Sequence, residues 1–279
     1  MLVETRSAEQ VREHYLVERS LADRLRAAPR AARPPLYGEV YDELFRRVPH
    51  HPQLRATKDA ERQARRRRSV EHQWRMVRRF LGPDSVFMEI GAGDCALSIR
   101  AAALVRQVFA IDVSEELTRG LALPANVELR LTAGAAVPAP SGAVHVAFSN
   151  QLMEHLHPED ALDQLREIQR SLAPGGVYVC ITPNRLNGPH DISAHFDEQA
   201  TGLHLREYSA RELRALLREA GFREVRFYAG ARGWYLRVPY MLIALGERLL
   251  QAIPSRIRRS LGGFAPMRAL LGVRVAGVK

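Results

Sequence analysis

Beyond residue 84 the chain repeats one unit, a short apolar run followed by an amphipathic stretch and then another apolar run. The apolar runs are "SVFMEI" (85–90), "QVFAID" (107–112), "VELRL" (127–131), "AVHVAFS" (143–149) and "GVYVCIT" (176–182). The stretches between them read as helices: "DCALSIRAAALV", a segment opening at Ser114, and "PEDALDQLREIQRSLA", which Pro174-Gly175-Gly176 closes. Mainly apolar strands alternating with helices predict a parallel sheet covered on both faces. "SARELRALLREAG" then predicts a helix ending at Gly221, "FREVRFYAG" a sixth strand and "LLGVRVAGVK" a seventh. The fold class is α/β and Rossmann-like.

Residues 1–80 carry a different pattern. "SAEQVREHYLVERSLADRLRAA" has apolar residues at helical spacing, with Ser7 placed as N-cap. Prolines interrupt it in "RPPLYGEVYDELFRRVPHHP", which then supplies a short amphipathic helix. In the next segment Val70, Trp74, Val77 and Leu81 recur at helical intervals, with arginines on the other face. The expected organisation is a helical N-terminal extension or cap (1–80) and a sheet domain (81–279). The latter carries a helical insertion at about 232–268, ahead of the last strand. That insertion contains an apolar helix and then a basic one with Arg256, Arg258 and Arg259.

The junction after the first strand, "MEIGAGDC", constrains the ligand. Gly91 and Gly93 permit a tight turn and a close approach, because they lack Cβ atoms. Asp112 ends the second strand about 20 residues on, where an acid can accept from ribose hydroxyls. An adenosine-type ligand follows, and two candidates compete. Gly91-Ala92-Gly93-Asp94-Cys95-Ala96 satisfies G-x-G-x-x-G/A, which points to NAD(P) with its pyrophosphate on a helix N-terminus. Glu89 points elsewhere: a carboxylate there repels a pyrophosphate but pairs with the ammonium of a methionine moiety.

The segments "MEIGAGDC", "AIDVS", "SNQLMEHL", "SLAPGGVYVCITPN" and "HLREYSARELRALLREAGF" together resemble a class I S-adenosylmethionine (SAM)-dependent methyltransferase over residues from about 80 to 230. The resemblance implies a seven-stranded sheet of order 3-2-1-4-5-7-6 with the seventh strand antiparallel, and SAM as cofactor. It also implies a cofactor set of Glu89, Gly91, Ala92, Gly93, Asp112, Val113, Gly134, Asn150 and Gln151. In such proteins the acid at the Glu89 position anchors the glycine loop and the methionine end, and the acid at the Asp112 position holds the ribose. Three residues depart from the pattern. Cys95 stands for the third glycine, Ala133 for an acid that meets the adenine amino group, and His145 for an aspartate opening the fourth strand.

Methyl transfer from a sulfonium is an in-line displacement, so the protein chiefly positions the acceptor and excludes water. A hydroxyl acceptor also needs a base within reach of its proton. His155 follows the fourth strand, and His190 and His195 lie in the long polar loop "TPNRLNGPHDISAHFDEQATGLHLREYS". These three are the candidate catalytic residues. His204 is placed as a positioning residue, with Ser209 and Glu212 as a capping box for the following helix. The spacing of His190, Asp191 and His195 matches no zinc pattern, and ubiquinone-pathway O-methyltransferases that use a divalent ion carry a second glutamate where Gln151 stands. No metal is expected.

The formal net charge is +10, almost all of it arginine, since Lys58 and Lys279 are the only lysines. Such a surface attracts acidic partners. With few aromatics among the arginines, nucleic acid is disfavoured. The apolar-then-basic insertion instead points to a lipid-linked or hydrophobic acceptor and to peripheral contact with an anionic membrane. The polar N-terminus lacks the apolar core of a secretory signal, and Cys95 and Cys180 read as small buried residues. A cytoplasmic location is expected, in places against the inner membrane face. The expected activity is SAM-dependent O-methylation of a small, glycan or lipid-linked acceptor. The alternatives are a catalytically silent methyltransferase-like binding module and an NAD-dependent enzyme.

Overall fold

The computed structural model describes residues 6–55, 60–231, 233–255, 257–258 and 272–279. The N-terminal portion forms four helices: α1 (Ala8–Ala27), α2 (Arg33–Arg47), α3 (Pro52–Arg55) and α4 (Ala60–Val77). Ser7 caps α1 by accepting from the Gln10 N–H, and the Gln10 side chain returns the bond. Prolines at the start of α2 sit where a missing N–H costs nothing.

The rest alternates as the sequence predicts: β1 (Val86–Ile90), α5 (Ala96–Ala102), β2 (Gln107–Asp112), α6 (Glu115–Thr118), β3 (Val127–Leu131), β4 (Val144–Asn150), α7 (Pro158–Ser171), β5 (Leu172–Thr182), α8 (Ala210–Glu219), β6 (Glu224–Ala231), β7 (Trp234–Val238), α9 (Tyr240–Gln251) and β8 (Val273–Val278). The order across the sheet is β3-β2-β1-β4-β5-β8-β6-β7. Strands β1 to β5 pair in parallel, and β8 lies antiparallel between β5 and β6. With β8 counted as the seventh strand, the expected 3-2-1-4-5-7-6 order stands. One edge strand is added. Residues 234–238, expected inside the helical insertion, form β7 antiparallel to β6, because Gly233 at φ +85° reverses the chain straight after β6. The apolar helix expected in the insertion is α9. Arg256 and Arg259 lie outside the described residues.

Successive residues of β1 face opposite layers. Met88 and Ile90 join α2, α7 and α8 in one core, whereas Phe87 joins α4 and α5 in the other. Both layers are apolar cores, with Phe87, Met88, Phe148 and Tyr178 fully buried. Each such side chain contributes roughly 1.5–3 kcal/mol. His145, in the position of the expected aspartate, keeps the acceptor role: its Nδ1 takes the Val86 N–H at 3.0 Å. That bond ties the starts of β1 and β4 together.

The N-terminal helices matter for function because α2 lies across the carboxyl edge of the sheet. Arg33, buried at its start, forms a two-point pair with Asp160 of α7. The Tyr37 hydroxyl donates to the same carboxylate and accepts from the His157 N–H, both at 2.8 Å. Asp42 accepts from Ser114, just past β2, at 2.8 Å. Between these anchors Gly38 rests on the chain after β2, so closely that a Cβ would stand 2.9 Å from the Val113 carbonyl oxygen. Alanine is favoured over glycine inside a helix by about 1 kcal/mol. Here the clash is with rigid backbone and wins. Gly38→Ala is expected to destabilise the protein by about 1–3 kcal/mol, read from the urea midpoint; an increase in stability would show that α2 does not dock this way.

Candidate cofactor and acceptor site

The turn between β1 and α5 is built from its own backbone. The Gly91 and Ala92 amides both donate to the Ile111 carbonyl, the Gly93 amide to Asp112 Oδ2 at 2.7 Å, the Cys95 amide to Ala92, and the Ala96 amide to Asp94. A pyrophosphate needs free amides at this place. With these five engaged and Asp94 capping α5, the turn does not offer that cradle, and the dinucleotide motif is satisfied in sequence without its anion site. Cys95 explains its departure from glycine differently. It adopts φ +53°, the left-handed conformation for which glycine is the easy choice. Its side chain is fully buried, which pushes its thiol up to about 12.

What the turn does offer is room and negative charge. Gly93 adopts φ +53°, and a Cβ built on it would meet nothing within 4 Å, so its Cα faces open space. Glu89 lies below, 5% exposed, with Oε2 accepting from Ser98 at 2.6 Å. Burial pushes its carboxyl up to about 7, opposed by the Ser98 bond and the nearby Arg66 guanidinium. Such a group gains from a neighbouring cation, which repays its desolvation. Arg66 of α4 makes a two-point pair with Asp94 and does not touch Glu89 directly. The residues therefore fit a ligand that brings a positive amino-acid end, as SAM does, and not one that brings two phosphates.

Asp112 does more than the sequence suggested. Besides the Gly93 amide, it accepts from Val113 and Ser114 at 2.8 and 2.9 Å through Oδ1. A carboxylate has about four acceptor positions. Three hold the glycine turn and the end of β2 in register, and one acceptor position is left over. A grip on both hydroxyls of a ribose requires one amide to yield. Burial raises the Asp112 carboxyl above its usual range, and the three amides pull the other way.

The other expected cofactor residues gather around this edge. Val113 lies under Gly38, and Gly134, at φ +63°, packs on Pro34 and Tyr37. The wall beside Ala133, where an acid was missing, is thus closed by α2. Ala92 is buried in the turn and Asn150 ends β4. Gln151 holds φ +55°, a strained conformation for a side-chain-bearing residue, with its amide tied to the Ile181 carbonyl at 2.8 Å. Leu152 follows and contacts Gly91.

The three candidate catalytic histidines are dispersed. His155 ends a short 3-10 turn (Met153–His155) next to this rim, its Nδ1 on the Leu203 carbonyl at 3.0 Å and its ring edge-on to Tyr41 and His204. Burial lowers its pKa to about 3, so the ring is neutral at physiological pH. His190 is turned outward, with its amide and Nδ1 on Glu207. His195 is exposed at the end of the 3-10 turn Ile192–His195 and touches Phe196, whose ring stacks on Tyr15 of α1. It is not brought together with His155.

His204, expected only to position a helix, stands closer to the rim. Its Nδ1 pairs with Glu207 at 2.7 Å, and its ring centre is 4.8 Å from that of His155. Glu207, shared by His190 and His204, is held down to about 2 by these two rings despite its burial. His204 and Glu207 line a cleft of about 620 Å³, together with Arg185, Arg206, Glu198 and Glu212. The sequence signal for His204 was its place before the capping box at Ser209 and Glu212, which forms as expected. Nothing in spacing announced its neighbour 49 positions upstream.

The profile of the methyltransferase-domain family matches residues 60–226, more than half of the chain. A probable SAM-dependent methyltransferase of Mycolicibacterium smegmatis is 34% identical over 158 residues, 56% of this chain and 58% of that one. One from Mycobacterium tuberculosis is 32% identical over 139 residues, 50% of this chain and 48% of it. The chain thus spans about half the length of the curated relatives it matches. Among solved structures, a chain from the complex of the Haloferax volcanii Trm112 methyltransferase activator with a methyltransferase has a TM-score of 0.58 at 16% identity, covering 82% of this chain and 97% of that one. Haemonchus contortus phosphoethanolamine N-methyltransferase 2 has a TM-score of 0.51 at 16% identity, covering 75% of this chain and 52% of that one. These two likenesses show the shared fold. From the strand order, the buried acid beneath an amide-filled glycine turn and the family match, the chain belongs to the SAM-dependent methyltransferases.

Proposed function

We propose that the protein transfers a methyl group from SAM to a hydroxyl oxygen of a polar, glycan-like acceptor, carried on a lipid. The observation that carries this reading is the cleft whose wall His204 and Glu207 share with the rim beside His155. Its lining alternates arginine with glutamate, which suits a hydroxyl-rich molecule. Glu89 would hold the methionine ammonium and Asp112 a ribose hydroxyl, while Gly93 faces the open space before the turn. SAM supplies the activated methyl carbon; the chain's own groups orient the acceptor and take up its proton.

The lipid part of the reading rests on the edge next to the cleft. Trp234, Leu236, Met241, Leu245 and Leu249 of β7 and α9 are exposed, with Trp234 78% accessible. Arg237 and Arg248 lie on the same elements. Ser255 and Arg258, just beyond α9, reach the cleft mouth. Among the described residues no helix is long and apolar enough to cross a membrane, so contact would be peripheral.

The test is transfer of isotope-labelled methyl from SAM to glycan and glycolipid fractions, with the methylated atom located by NMR. O-methyl groups on the glycan part support the reading. Label found on nitrogen overturns it, as does SAM binding with no transfer to any fraction, the result expected of a silent binding module.

A further inference from the structure

We infer that Glu154, His155 and His204 form a binding site for a divalent transition-metal cation beside the methyl-transfer rim. One donor atom from each residue lies within 4.8 Å of the others. A point equidistant from three such atoms is within about 2.8 Å of each, so the side chains close in by at most about 0.6–0.8 Å to reach metal–ligand distances of about 2.0–2.2 Å.

The hydrogen bonds decide which atoms are available. His155 has Nδ1 on the Leu203 carbonyl, and His204 has Nδ1 on Glu207. In both rings Nε2 is therefore the nitrogen that remains for a ligand. Imidazoles that bind metal are fixed in this way, through the opposite nitrogen, by a carbonyl or a carboxylate. Glu154 is fully buried, and its Oε2 accepts from Thr182 at 2.8 Å. Its Oε1 has no partner. An orphaned carboxylate oxygen at zero exposure is costly unless a proton or a cation meets it, and burial raises the Glu154 carboxyl above its usual range. Two imidazoles and a carboxylate suit zinc, iron, nickel or cobalt better than magnesium.

A second histidine–glutamate group shows the contrast. In His14–Glu18–His51 the carboxylate is engaged through both oxygens: Glu18 Oε1 accepts from the Leu203 N–H and Oε2 lies 2.8 Å from His14 Nε2, while His14 Nδ1 is 2.7 Å from Arg6. The cluster at Glu154 keeps one carboxylate oxygen, Oε1, without a partner and adjoins the cleft through His204. Such a site departs from the expectation of no metal, which turns on Gln151 standing in place of a second glutamate; His204, arriving from the far end of the loop after β5, is the third donor here. The inference rests on this geometry and stands apart from the acceptor's identity.

The test is titration of the metal-stripped full chain with Co²⁺, followed by visible absorption and calorimetry in the absence of SAM. One equivalent is expected to bind at micromolar concentration and to give ligand-field bands. Glu154→Gln and His204→Ala are each expected to weaken binding at least tenfold, whereas His157→Ala, in a more exposed group, leaves it unchanged. His204 borders the cleft, so its variant carries the test should Glu154→Gln fail to fold. Absence of saturable binding up to millimolar Co²⁺ overturns the inference, as does binding that survives His204→Ala.

Discussion

Asp112→Ala is expected to weaken binding of S-adenosylhomocysteine by 100-fold or more, the largest effect of any single change at the site. The reason lies in what the carboxylate does for the chain before any ligand arrives. It takes the amides of Gly93, Val113 and Ser114, so its removal strips three backbone donors of their acceptor. A buried donor left unpaired costs about 1–3 kcal/mol. Some of the three will find water, and a stability loss of about 3 kcal/mol is expected along with the loss of affinity. Asp112→Asn separates the two roles. Its amide oxygen can keep Val113 and Ser114, while its NH₂ group meets the Gly93 N–H donor to donor. That variant should keep most of the stability and lose about tenfold in affinity. Calorimetry and urea unfolding together check the pair. Unchanged affinity in both variants would remove Asp112 from the ribose.

Glu89→Gln is expected to move stability and affinity in opposite directions. Burial raises the folded pKa of Glu89 to about 7, above its unfolded value near 4.5. The folded state therefore holds the proton more tightly. The associated stability is fully present below pH 4.5 and is lost as pH rises through 7. By this linkage, the loss at pH 8 is on the order of 3 kcal/mol. Glutamine keeps an acceptor for Ser98 and carries no charge, so the variant should melt higher than wild type at pH 8 and nearly alike at pH 4.5. The same change removes the carboxylate proposed to pair with the methionine ammonium, so affinity should fall at least tenfold at pH 8. In the wild type, affinity should rise between pH 6 and 8 as the carboxyl ionises. A variant that binds as tightly as wild type, with the same pH profile, would show that the ammonium sits elsewhere.

Much of this architecture was legible in the sequence because it rests on short-range patterns. Short, mainly apolar runs give the parallel strands, and Ser7, Ser114 and Ser209 mark helix starts where caps form. Glu89 and Asp112 were legible because each sits at a fixed offset from the glycine turn. The remainder depended on contacts between distant segments. Strand β7 follows from one glycine turn after β6 and its pairing there, and the exposed "WYLRV" has no buried alternation to announce it. The closing of the cofactor edge by α2 depends on Gly38 meeting Val113, 75 positions on. Lying in a long loop marks His190 and His195 as candidates, a criterion that cannot tell His195 at the surface from His204 against His155, whereas the position of His155 just after β4 does place it at the rim.

The central claim is that the carboxyl edge around Gly93, walled by Glu89, Asp112 and α2, is a SAM site and not a nicotinamide site. Amide hydrogen exchange with S-adenosylhomocysteine and with NAD measures this most directly, since the amides of Gly93, Val113 and Ser114 report on Asp112. The account predicts slowed exchange at 91–96 and 112–114 with S-adenosylhomocysteine, extending into 34–42 of α2, and no change with NAD. Protection by NAD, or saturating S-adenosylhomocysteine that leaves these amides untouched, would contradict it.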